Sequence, residues 1–137
     1  MVLTPGVFID TDGYVYFSIG SYTLKEADFL HWLDMEPDTF HISGIGAGKP
    51  MLKWKITTRK TINPDLSEMI ERIVDRLIPI KDRLIAFKRA YPDLNYQLQI
   101  VFWIGTEFVP ALTIENDTML FLGEIGALLD CDMYKSV

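Results

Sequence analysis

Leu128 to Tyr134 reads L-L-D-C-D-M-Y, and it carries the clearest spacing in the chain that could do chemistry. If it is a strand, alternation places Leu128, Asp130, Asp132 and Tyr134 on one face and Leu129, Cys131 and Met133 on the other. Carboxylates two positions apart on a strand stand roughly 6–7 Å from each other. That separation suits a general acid/base pair or, with further oxygen ligands, a hard cation. The sequence offers neither those ligands nor the makings of a sugar cleft. Ion pairing with Lys53 or Lys55, or contact with a partner, is the simpler use of the two acids. Asp10 and Asp12 flank a predicted turn ending in Gly13, where aspartate serves local hydrogen bonds.

The remaining reactive residues do not assemble. Ser43 to Pro50, S-G-I-G-A-G-K-P, has the look of a phosphate-cradling loop. It lacks the first glycine, has proline where a magnesium-binding hydroxyl is needed, and precedes a strand instead of a helix. A connector at the rim of a binding surface fits it better. His31 falls on a helix surface and His41 in a loop, without zinc-ligand spacing. Cys131 lies on the apolar side of its strand and reads as a small buried hydrophobe. No nucleophile elbow appears. The chain therefore points to no metal, no cofactor and no catalytic residues.

At 137 residues, 49% hydrophobic and 12% aromatic, the chain has the length and composition of one folded domain spanning 1–137. Its ends, 1–12 and 135–137, are expected to be loosely ordered. A net charge of −6 weighs against nucleic acid or an anionic membrane as partner. One cysteine excludes an internal disulfide, no signal-like start is present, and no apolar run approaches the roughly 20 residues needed to span a bilayer. Cytoplasmic residence is the expectation. Charge is segregated: Lys49 to Lys60 holds five bases and no acid, while Glu107 to Asp132 holds six acids and no base. Such blocks form solvated surfaces or match partners of opposite sign.

The elements that would position these residues follow from periodicity. Tyr14 to Ile19 alternates Val15, Phe17 and Ile19 against Tyr14, Tyr16 and Ser18. Thr23 to Glu26 reads as a capping box opening a helix to about Asp34, with Leu24, Ala27, Leu30 and some of Phe29, Trp32 and Leu33 inward and Pro37 beyond its end. A loop then leads to a strand from Met51 to Arg59, with Leu52, Trp54 and Ile56 inward. Asn63 and Pro64 cap a long helical stripe through Leu66, Ile70, Ile73, Leu77, Ile80, Leu84, Phe87 and Tyr91. Pro79 must kink or split it. Tyr96 to Ile104 is a strand, and Val109 to Glu115 a shorter one at an edge. Asn116 or Asp117 caps a helix through Leu120, Leu122 and Ile125 that Gly126 ends. The order β-α-β-α-β-β-α-β predicts an α+β domain, a mostly antiparallel sheet of about five strands with helices on one face.

These features together resemble a known family. The alternating first strand, L-D-M-E-P (Leu33 to Pro37), Gly48-Lys49-Pro50 ahead of the Trp54 strand, the long helix and the closing L-L-D-C-D-M-Y are similar to the bacterial family called domain of unknown function 4279. The resemblance covers nearly the whole chain. It implies an α+β fold and bacterial origin, and transfers no activity or catalytic residue. Some small bacterial domains of this general kind serve as immunity proteins against toxins, which is an analogy of fold.

If the apolar strand faces meet the helices, the opposite face carries Tyr14, Tyr16, Ser18, Lys53, Lys55, Thr57, Gln97, Gln99, Val101, Trp103, Asp130, Asp132 and Tyr134. Aromatic rings mixed with charges are the composition of an interaction hot spot. The expectation is a non-enzymatic module that binds another protein, in a bacterial setting a toxin whose active site it blocks. The alternatives are a homodimer burying the same face, and a small-molecule binder or enzyme using Asp130, Asp132 and Tyr134.

Overall fold

Residues 10–44, 46, 48–106 and 110–135 are described here from a computed structural model. In chain order the elements are β1 (Asp12–Ser21), α1 (Glu26–Leu33), β2 (Thr39–Ser43), β3 (Met51–Thr57), β4 (Thr61–Ile62), α2 (Leu66–Leu77), α3 (Lys81–Ala90), β5 (Asn95–Ile104), α4 (Asn116–Ile125) and β6 (Leu128–Lys135). The fold is α+β. Its sheet runs β2-β3-β1-β5-β6, and the short β4 continues the β3 side of β1. Every pairing is antiparallel except β5 with β6. A parallel neighbour needs a crossover, and α4 provides it.

Alternation sorts the sheet as expected. Val15, Phe17 and Ile19 of β1, Trp54 and Ile56 of β3, and Leu98 and Ile100 of β5 are fully buried against Phe29, Leu33, Leu66, Leu77, Leu84 and Phe87 of the helices. Gly13 lies on this inner side, where a Cβ would come within 2.9 Å of the Pro64 ring; its missing side chain lets the start of α2 settle under β1. The Trp54 indole donates to the Met35 carbonyl at 3.2 Å, fastening the L-D-M-E-P segment to β3.

Several local expectations are corrected. Thr39–Ser43, read as loop, is an edge strand on β3; exposed Thr39, His41 and Ile42 hide the alternation that marks a half-buried strand. His41 thus sits on a strand. Asp12 and Gly13 belong to β1 instead of a turn. Residues 110–115 form no strand, and 107–109 lie outside the described residues. The first helix starts later than the Thr23 box predicts: Ser21 Oγ accepts from the Thr23 and Leu24 amides, and Asp28 accepts from Lys25 N at 2.8 Å. Ala27 is exposed there. Asp65, not Asn63, caps α2, accepting from Glu68 N at 3.1 Å. Pro79 does split the long helix, through a single 3₁₀ turn at Ile78–Ile80, and Tyr91 ends up exposed. In α4 Glu115 precedes the first turn without a side-chain cap. Phe121 takes the buried position expected of Leu120, which faces solvent. Of the ends expected to be loosely ordered, 1–9 and 136–137 lie outside the described residues, while Asp12 opens β1 and Lys135 closes β6.

Two polar contacts tie helices to sheet. The Tyr96 hydroxyl of β5 donates to the Leu84 carbonyl of α3 at 2.7 Å within the core. Asp38, just before β2, accepts from Thr57 N at 2.7 Å and from both Arg76 guanidinium nitrogens at 2.8 and 3.0 Å. Tyr96→Phe should cost about 1 kcal/mol in denaturant unfolding. The Arg76 hydrogen bond, chiefly, and the Thr57 amide hold the Asp38 carboxyl below its ordinary 3.8 despite partial burial. A folded value below the unfolded one stabilises at pH above the unfolded value, and the gain is lost as pH falls through the folded one. Asp38→Asn should therefore be less stable than wild type at about pH 7, by roughly 0.5 kcal/mol for so exposed a pair, and the gap should close as pH falls through the lowered folded value.

Candidate functional site

The sheet face turned away from the helices is where the sequence-predicted residues meet. Register sets Tyr16 beside Gln99 and Gln99 beside Asp130 in one row, Tyr14, Val101 and Asp132 in the next, and Asp12, Trp103 and Tyr134 in a third. The rings form a continuous chain. Tyr16 stacks on Tyr14 with centroids 6.1 Å apart, Tyr14 meets Trp103 at 6.1 Å, and Trp103 stacks on Tyr134 at 5.4 Å. Long side chains roof the short ones, so Ser18, Val101 and Gln99 are buried although, among the described residues, no helix lies above them. Gln99 is 2% exposed, and its Nε2 has no hydrogen-bond partner. Its Oε1 accepts from Gln97, whose amide also reaches Asp130 at 3.4 Å.

The two lysines separate from the acids. β1 and β5 lie between β3 and β6, so the expected ion pair of Asp130 or Asp132 with Lys53 or Lys55 does not form. Lys55 instead rests on the Tyr16 ring at 3.9 Å. Burial, and then the neighbouring Lys53 charge, push its ammonium below the ordinary lysine value. Lys53 stays at the far side, opposite His41 and Gly20. Burial pushes the Tyr16 phenol up, reinforced by Tyr14, Asp132, Asp130 and Tyr134. Lys60 joins the site unannounced by the sequence: its ammonium lies 4.2 Å over Trp103 and 3.8 Å from Asp12. Periodicity could not assign it a face, because it falls in the break between β3 and β4.

β6 carries the principal correction. Leu129, Cys131 and Met133 neighbour Leu98, Ile100 and Phe102 of β5 and so point to the helix side, yet none is covered. Leu129 is 47% and Met133 60% exposed, and Cys131 is exposed with them. α4 is held against α3, with Glu124 bonded to Lys81 and the Gly126 carbonyl to Lys88. It feeds β6 onto the sheet without lying beneath it. Among the described residues the strand is therefore open on both faces and along its outer edge. Burial comes first, then Asp130 and Asp132, in raising the Cys131 thiol above its ordinary value, which disfavours the nucleophilic thiolate.

Among the described residues, no set of three or more histidine, cysteine or acidic side chains could hold a metal ion, and no helix is long and apolar enough to cross a membrane. Cavities of about 370 Å³ by Arg59, Arg72 and Arg76, and about 480 Å³ by Tyr22, Lys49 and Tyr91, lie away from Asp130, Asp132 and Tyr134.

The architecture is that of a one-sided α+β domain, with helices on one side of the sheet and an aromatic, acid-edged surface on the other. The chain belongs to the family described as Domain of unknown function (DUF4279), which matches residues 11–136. No curated protein and no solved structure matches it.

Exposure and a raised pKa give Cys131 a testable signature. It should be alkylated by iodoacetamide in the native protein, without unfolding, but more slowly at about pH 8 than a free thiol of ordinary pKa near 8.5. Asp130→Asn should speed the reaction. A rate limited by global unfolding would show the side chain to be covered.

Proposed function

We propose that this domain is a non-enzymatic protein-binding module whose uncovered sheet face meets another protein. The observation that carries the reading is the unbroken row of rings, Tyr16, Tyr14, Trp103 and Tyr134, running across the helix-free face to an edge strand. Rigid aromatic side chains bury much area at little entropic cost, and they concentrate at the centres of protein interfaces. Asp130 and Asp132 add a negative rim, which favours a basic partner and speeds encounter with it.

Blocking a toxin's active site is the setting such a face suits best. A nuclease, for example, must present a cationic groove to its substrate, and an acid-rimmed aromatic surface complements one. A catalytic role for Asp130, Asp132 and Tyr134 has less support. The two acids and the phenol stand exposed to water on an edge strand. A homodimer through the same face remains the second reading, favoured by the ring row alone.

Affinity capture from the native host with wild type and Trp103→Glu should separate these readings. The first predicts a protein bound by wild type and by a Tyr22→Glu control, but about 30-fold more weakly by Trp103→Glu, the loss of one aromatic hot spot worth about 2 kcal/mol. A partner that binds Trp103→Glu undiminished overturns the use of this face. A wild-type dimer seen by light scattering that dissociates on Trp103→Glu selects the homodimer.

A further inference from the structure

We infer that the free edge of β6 accepts an added strand from the partner, an extended segment with basic residues at alternate positions and apolar residues between them. This rests on the protein-binding reading and deepens it by naming a contact mode and a partner chemistry.

The edge is long and carries no guard against a basic strand. β6 pairs with β5 in unbroken register from Gln97↔Leu128 to Ile104↔Lys135, and among the described residues no strand pairs its other side. Exposed edges are ordinarily blunted by proline, a bulge, an inward charge or a central lysine. β6 contains no proline, no bulge, and lysine only at its last position. Its outward backbone N–H and C=O groups are thus a ready template for strand addition, in which main-chain bonds supply affinity and alternate side chains supply choice.

Side chains on the two faces specify the incoming strand. Asp130 and Asp132 project from the open face with no ion pair among the described residues; Asp130 has only the long contact from Gln97. Lysine or arginine at alternate positions of the added strand would face them. On the helix side Leu129 and Met133 stand uncovered and would pack on apolar residues at the intervening positions.

Two self-pairing registers of β6 are disfavoured. Antiparallel pairing of β6 with itself, centred on Cys131, sets Asp130 opposite Asp132 twice. Centred on Asp132 it sets that acid against itself. Like charges directly opposite destabilise a strand pair, so the acids that invite a basic strand also oppose self-association.

The probe is a peptide of about nine residues alternating lysine and valine, assayed by fluorescence anisotropy and by amide hydrogen exchange. Saturable binding with slowed exchange of alternate amides within residues 128–135 is the expected result. A peptide of the same composition with its lysines grouped at one end, and one alternating glutamate and valine, should bind wild type at least about tenfold more weakly. Joint Asp130→Lys and Asp132→Lys substitution should invert the preference toward the glutamate peptide. Both side chains are exposed, so the fold should survive, and the comparison of peptides on wild type needs no variant. Equal binding of the grouped peptide, protection elsewhere than β6, or indifference to the charge at 130 and 132 would each overturn the proposal. A failure of the sheet-face reading shows differently, as a native partner that ignores Trp103→Glu.

Discussion

The register of β1 between β3 and β5 is the constraint on which the rest of the molecule depends. Phe17 lies level with Ile56 on one side and Leu98 on the other, and Tyr16 with Thr57 and Gln99. Because side chains alternate with a period of two, a slip of one residue would drive Tyr14 and Tyr16 into the helices and turn Phe17 out to water. Every odd-numbered β1 position from Val15 to Ile19 is fully buried, so the hydrophobic penalty for such a slip spans three large side chains at once. The same register that builds the core aligns Tyr14 with Trp103's neighbourhood and hands the row on to Tyr134. Core and candidate site are two readings of one pairing.

That coupling explains what the sequence makes legible. Tyr14 to Ile19 and Tyr96 to Ile104 alternate strictly enough to assign faces before any pairing is known. Tyr14, Tyr16, Gln97, Gln99, Trp103, Asp130, Asp132 and Tyr134 duly share one surface. Alternation reports which way a side chain points, and nothing more. It cannot say whether anything lies in that direction. Leu129, Cys131 and Met133 point toward the helix layer and meet open space, because helix coverage stops short of the last strand. β2 was hidden for a related reason: at an edge exposed to solvent, Thr39 and His41 need no apolar counterpart. Strand order is equally silent in the sequence, which is why Lys53 and Lys55 could be matched with acids that lie two strands beyond their reach.

Placing a strand parallel at the sheet's end has consequences of its own. An antiparallel hairpin would have brought the last strand back through a tight turn; the crossover instead spends α4, which docks on α3 and leaves the underside of β6 bare. A strand gripped on one side only, with both faces wet, buries too little apolar area to explain its own apolar residues. Leu129 and Met133 at such exposure are unusual for a lone monomer, where contiguous apolar surface is kept small. The carboxylates on the opposite face supply the missing term. On the proposed reading they disfavour acid-centred pairing of two copies while leaving the backbone template available, a combination that would discriminate by charge without needing a preformed pocket.

Electrostatics sharpens the same division across the sheet. Two basic residues on this side of the sheet lie over rings, Lys55 of β3 over Tyr16 and Lys60 from the break after it over Trp103, so their charge is partly spent on the protein's own π-faces. The acids of β6 have no such internal use. On the proposed reading, an approaching protein meets rings that already hold Lys55 and Lys60, bordered by carboxylates without an ion pair among the described residues. With a net charge of −6 setting the long-range field, attraction favours a basic surface at every distance, from first encounter to the last contact made at the edge. On the proposed reading, a neutral aromatic face alone would accept many partners, and the acid border narrows the choice to those that carry positive charge in an extended, alternating array.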